Sequence, residues 1–103
     1  MYARVTLVEI DAVRHDIDLV VEKFEELVVP ELREQEGYAG VLAMTTPEGK
    51  GLVMSLWDTE EAADAELGFY NVQLEKFMTM FKAPPGRERY EVVFAEAPAL
   101  AAR

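Results

Sequence analysis

The sequence predicts an α+β fold. It is a four-stranded antiparallel sheet with helices on one face, in the β-α-β-β-α-β order known as ferredoxin-like. Three observations predict it. Four short runs rich in β-branched and aromatic residues are separated by longer runs of helical period. The second and third apolar runs are joined only by Pro47-Glu48-Gly49-Lys50-Gly51, which makes them a hairpin. The chain has 103 residues, room for one domain.

Taken in order, residues 2–10 (YARVTLVEI) read as the first strand, without Gly or Pro. Its faces are Ala3, Val5, Leu7, Glu9 and Tyr2, Arg4, Thr6, Val8, Ile10. Residues 13–35 carry a helical stripe of Ile17, Val20, Val21, Phe24, Leu27, Val28 and Leu32. Asp16 is the expected N-cap, and Glu22, Glu25 and Glu26 form a solvated face. Pro30 should kink or divide this helix, and Gly37 should stop it. Residues 38–46 and 52–57 are the hairpin strands. Asp58 or Thr59 caps the next helix, acidic in its first turn, and Gly68 is expected to interrupt it. A second helical run, Phe69 to Phe81, places Tyr70, Leu74, Phe77 and Phe81 on one side. The last strand is expected at 89–95. The domain then covers 1–97, with a C-terminal tail over 98–103 that has little to hold it.

Composition narrows the function. Ten Lys+Arg oppose 20 Asp+Glu, a formal charge of −10. That charge would repel phosphates, so neither nucleic acid nor a membrane surface is an expected partner. Half of the residues are hydrophobic, too many for a disordered acidic chain. The sequence has no cysteine and only one histidine, His15, which argues against an intrachain metal site. No signal core follows Met1-Tyr2-Ala3-Arg4, and the absence of cysteine fits the cytoplasm. Both faces of most strands are apolar, while two helical segments can cover only one face. A second copy packed sheet to sheet would cover the other, so a homodimer is expected.

Three stretches carry a resemblance: VVPELREQEGYAG (Val28–Gly40), LVMSLWDTEEAADA (Leu52–Ala65) and PPGRERYEVV (Pro84–Val93). In order and spacing the chain resembles the dimeric α+β barrel proteins over about residues 3–96. Within them it is similar to the antibiotic biosynthesis monooxygenase (ABM)-like domains. The resemblance implies protomers whose sheets pair into a barrel, with a small hydrophobic or aromatic ligand held between sheet and helices. It also implies oxygenase chemistry without metal, flavin or other cofactor. Haem-degrading relatives use an Asn on the first strand and a His on the later helix. This sequence has neither, which excludes that mechanism.

The candidate catalytic residues are His15, Trp57, Tyr70 and Asn71. His15 has the chemistry of a general base, and Trp57 could stack on an aromatic ligand. The candidate ligand contacts are Trp57, Met54, Tyr70 and Phe77. Each has an ordinary alternative: a plug at the sheet end for Trp57, a helix-start residue for His15, core packing for Met54 and Phe77. Arg4 on an apolar strand needs a carboxylate partner, expected across the dimer, or else it anchors a ligand. Three functions compete: a monooxygenase-like enzyme for aromatic or quinol-type substrates, a non-catalytic ligand-binding or stress-associated dimer, and an acidic assembly module.

Overall fold

The hairpin and the two ladders that flank the first strand organise the structure. A computed structural model describes residues 1–96. The elements are β1 (Tyr2–Glu9), α1 (Ile17–Leu27), α2 (Val29–Leu32), β2 (Tyr38–Thr45), β3 (Lys50–Trp57), α3 (Glu60–Glu75), a 3-10 turn (Met78–Met80) and β4 (Gly86–Glu91). The sheet order is β2-β3-β1-β4, and every neighbouring pair is antiparallel. This is the predicted α+β, ferredoxin-like arrangement. The tail predicted over 98–103 lies outside the described residues.

The Asp16 carboxylate caps α1 by accepting from the N–H groups of Asp18 and Leu19. The predicted long helix divides at Val28. Pro30 then sits in the first turn of α2, where its missing N–H leaves no gap. Gly37 has φ +81°, and a Cβ there would lie 2.5 Å from the Ala62 Cβ. No other residue lets the chain pass so close to α3 in that conformation.

Several boundaries differ from the sequence reading. The α1 helix begins at Ile17 rather than 13, and β3 begins at Lys50 rather than 52, because Gly51 and Lys50 pair with Val8 and Glu9 of β1. Gly68 does not interrupt α3, which is continuous from Glu60 to Glu75. The space where its side chain would stand is open, so only helix propensity is lost, about 1 kcal/mol. The run to Phe81 is not α-helical throughout. The Asp11 N–H bonds the Met80 carbonyl, the Lys82 N–H bonds the Glu9 carbonyl, and Ile10 bridges Phe81. Pairing with the end of β1 draws the chain out of the helix. The last strand is Gly86–Glu91 rather than 89–95, because β1 sets its register: Leu7 faces Gly86 and Tyr2 faces Glu91. Beyond Glu91 the Val92 N–H donates to the Met1 carbonyl, extending the ladder by one bond.

The pleat sorts the sheet residues. Tyr2, Arg4, Thr6 and Val8 pair with Trp57, Ser55, Val53 and Gly51 on the face that meets the helices. Buried residues there form two clusters: Leu32, Trp57 and Ala63 at one end, and Ile10, Val20, Val28 and Phe77 at the other. Phe69 packs against both. The opposite face carries Ala3, Val5 and Leu7 beside Leu56, Met54 and Leu52, with Leu42 and Met44 next in line. Leu7 and Met44 on that face are each 51% exposed.

Candidate functional site

The helix-facing residues of β3 are Gly51, Val53, Ser55 and Trp57, and they divide the space under the helices unequally. Trp57 fills its end and is only 1% exposed. Its indole N–H donates to the Ser55 hydroxyl at 3.0 Å, and its ring meets Tyr38 edge-on at 6.1 Å between centroids. At the other end Gly51 contributes no side chain, since a Cβ there would lie 2.6 Å from the Val8 Cγ2. Between sheet and helices this leaves a cavity of ≈ 140 Å³, partly open to solvent. Val20, Phe24, Val53, Phe69, Leu74 and Phe77 contribute to its apolar walls. That volume is about what a single aromatic ring requires.

One corner of the cavity is polar: Thr6 from β1, with Glu66 and Tyr70 from α3, belongs to the lining. These three meet at Arg87 of β4. Its Nη2 lies 2.5 Å from Glu66 Oε2, its Nε donates to Thr6 Oγ1 at 3.2 Å, and its guanidinium stands 3.7 Å from the Tyr70 ring centroid. Arg4 approaches the same Glu66 oxygen at 3.9 Å and donates to the Ala63 carbonyl at 3.0 Å. Burial pushes the Glu66 carboxyl up from its usual value, and the hydrogen bond and charge of Arg87, with the charge of Arg4, partly oppose this. The Tyr70 hydroxyl is raised too, first by burial; Arg87 lowers it and Glu66 raises it. Gln73, also in the lining, is held by Glu31 and Lys76 at 2.7 and 2.9 Å.

Of the residues singled out from sequence, Tyr70 and Phe77 line this cavity and Trp57, Met54, His15 and Asn71 do not. Trp57 belongs to the closed end. Met54 pairs with Val5 and Leu42 on the outer face of the sheet. His15 lies in the turn before α1, its N–H bonded to the Asp11 carbonyl at 2.9 Å. Asn71 lies within α3 and is exposed. Arg4 finds its carboxylates within its own chain, Asp64 at 3.4 Å and Glu66, rather than across a dimer. The pleat points its side chain at α3 and away from the outer face.

Glu66, Gln73 and Arg87 are absent from the sequence reading. A signal for the first existed: one helical turn back from Tyr70 on the same stripe is Glu66. Treating Gly68 as a break cut that stripe in two. For Arg87, the signal was the RER alternation, which puts Arg87 and Arg89 on one face. Among the described residues, no group of three or more His, Cys, Asp or Glu side chains could hold a metal. Among the same residues, no helix is long and apolar enough to cross a membrane.

No family model and no curated protein sequence matches the chain. Solved structures match its fold. A protein of unknown function from Nitrosomonas europaea superposes with a TM-score of 0.74 at 18% identity, covering 95% of this chain and 94% of that one. The ActVA-Orf6 monooxygenase of Streptomyces coelicolor, in complex with nanaomycin D, gives 0.70 at 18% identity, with 95% and 92% covered. SnoaB, a cofactor-independent oxygenase from Streptomyces nogalater, gives 0.71 at 8% identity, with 91% and 94% covered. The chain therefore has the fold of the ABM-type structures.

Proposed function

We propose that this protein is a cofactor-independent, monooxygenase-like protein that binds a small aromatic or quinol-type substrate in the cavity under α3. One observation supports this above the others: a largely apolar space of single-ring size with a polar corner at Thr6, Glu66 and Tyr70. The walls would hold a ring by burial, and the corner would orient its oxygen substituent. Tyr70 and Phe77 are the ligand contacts in this reading, and Trp57 braces the closed end. The deprotonated substrate itself supplies electrons to O2. For a hydroquinone, one oxygen atom of O2 becomes a ring hydroxyl of the quinone product, and the other leaves as water with two of the substrate's hydrogens. The likeness in fold to an oxygenase and to a ligand-bound monooxygenase favours this chemistry over simple storage of a ligand.

The test is oxygen uptake with a panel of single-ring hydroquinones, comparing wild type with Val53→Trp, which fills the cavity. Uptake that depends on substrate and disappears in the variant is expected. Thermal stabilisation by the same compounds without uptake would favour the non-catalytic ligand-binding dimer instead. Neither uptake nor stabilisation with any compound would sink the reading.

The assembly that goes with it is a cytoplasmic homodimer formed through the outer sheet face, where Leu7, Met44 and Met54 stand together. Light scattering at micromolar concentration should give twice the chain mass for wild type and the single-chain mass for Leu7→Glu. A wild-type monomer there would refute the pairing.

A further inference from the structure

The proposed chemistry requires a group that removes a proton from the substrate, and the geometry singles one out. His15, the only imidazole in the sequence, is not in the cavity lining. Among the described residues, Glu66 is the only carboxylate that lines the cavity, and its side chain is 6% exposed. Both of its guanidinium contacts, Arg87 at 2.5 Å and Arg4 at 3.9 Å, go to the same oxygen, Oε2. We infer that Glu66, through Oε1, accepts the proton of an aromatic hydroxyl group seated in this corner, and that Arg87 then becomes the counter-ion of the resulting phenolate. This inference rests on the cavity being a site for hydroxylated aromatic ligands.

The step balances within the site. The ligand O–H bond breaks, its electron pair stays on the ligand oxygen, and the proton forms an O–H bond on Glu66. Before transfer the buried anion is the carboxylate, and afterwards it is the phenolate. The buried charge is the same on both sides, so no additional ion is removed from water. Arg87 is well placed to follow the charge. It already touches Thr6, Glu66 and the face of Tyr70, and Thr6 offers a hydroxyl at the same corner. The charged and titratable groups facing Glu66 are Arg4 from β1, Arg87 from β4 and Tyr70 from its own helix. Burial of the carboxylate raises its proton affinity in the direction that transfer requires. The inferred ligand class is thus narrower than an apolar ring: one ring or a small fused pair bearing an ionisable hydroxyl.

The experiment uses 2-naphthol, which is neutral in water at neutral pH and whose naphtholate absorbs at longer wavelength. Binding is followed by the absorption spectrum, and proton release by a weakly buffered indicator dye. Wild type should bind the probe as naphtholate and release close to no protons, because Glu66 keeps the proton. Glu66→Gln, which retains shape but cannot take the proton, should bind naphtholate opposite Arg87 and release about one proton per probe bound. Val53→Trp should bind none, which locates the probe in the cavity. A wild-type spectrum of neutral naphthol would overturn the inference, as would release of about one proton by wild type. Both wild-type outcomes are readable even if Glu66→Gln fails to fold. If wild type binds no probe, the cavity reading itself fails and takes this inference with it. Binding of neutral naphthol would leave the cavity reading standing and remove only the base.

Discussion

At one end of the helix-facing layer, Trp57, Leu32 and Ala63 pack with Tyr2 and Tyr38 into a filled cluster. At the other, Ile10, Val20, Val28 and Phe77 surround a space of ≈ 140 Å³. Both ends are built from apolar residues, under the same helix and on the same two central strands. What separates them is side-chain volume along β3: Trp57 at one end, Val53 and Gly51 at the other. A second difference is the treatment of charge. Near the closed end, Arg89 pairs with Asp64 at 2.6 Å and Glu60 at 3.1 Å, and both of these acidic side chains are half exposed. At the cavity, the Glu66 and Arg87 side chains are only 6% and 13% exposed. The comparison teaches that a large aromatic residue marks where the layer is closed. The site lies where small residues leave room and where a charge has been taken out of water.

That contrast can be broken experimentally. The largest effect is expected for Trp57→Ala, a loss of about 3–5 kcal/mol in urea unfolding, because it empties a filled end. Val53→Trp, at the end with room, should cost at most about 1–3 kcal/mol while abolishing ligand binding. Equal stability losses for the two would erase the distinction between a filled and an open end.

Next comes the buried pair. Arg87→Met strands the Glu66 carboxylate with only the more distant Arg4, at an expected cost of about 2–4 kcal/mol. The double variant Arg87→Met/Glu66→Leu should recover most of it. If Arg87→Met alone were neutral in urea unfolding, the pair would behave like the exposed Arg89 pairs, which are worth little.

A smaller effect sharpens the helix that spans both ends. Gly68→Ala should stabilise by about 0.5–1 kcal/mol, since its surroundings are open and α3 is continuous. Destabilisation would mean that the helix needs a break between the two clusters.

The last prediction concerns pH. Because the folded protein raises the Glu66 carboxyl above its ordinary value of 4.5, it binds more protons than the unfolded chain between those two values. Stability from this group therefore falls as pH rises through the folded value, and is fully present below 4.5. The stability of wild type relative to Glu66→Gln should change by at most about 1.4 kcal/mol per pH unit within that window and be flat outside it. A difference that grew with rising pH would show that Arg87 outweighs burial.

Much of this architecture was legible in local sequence. The Asp16 cap, the division at Pro30, the tight hairpin and the alternation of β1 each follow from the shape and hydrogen-bonding capacity of a few neighbouring residues. Element ends were not legible where another strand decides them. Gly86 joins β4 because Leu7 lies opposite, and Phe81 leaves the helix because Ile10 bridges it. The site was half legible. Tyr70 and Phe77 share a helical stripe, so their common destination could be read from spacing. Trp57 carries the strongest binding chemistry of any single residue in the sequence, yet lies in the filled cluster.

By itself the sequence determined the element order, the acidic helix face, the absence of thiol chemistry and the two apolar sheet faces. All of these depend on residue type and on periods of two or 3.6 residues. Tertiary structure alone decided where space remains and which charges meet. A cavity is the difference between facing volumes from distant segments, here Gly51 and Val53 against α1 and α3. Glu66 and Arg87 are 21 residues apart in the chain, and they become one buried pair only when β4 takes its place beside β1.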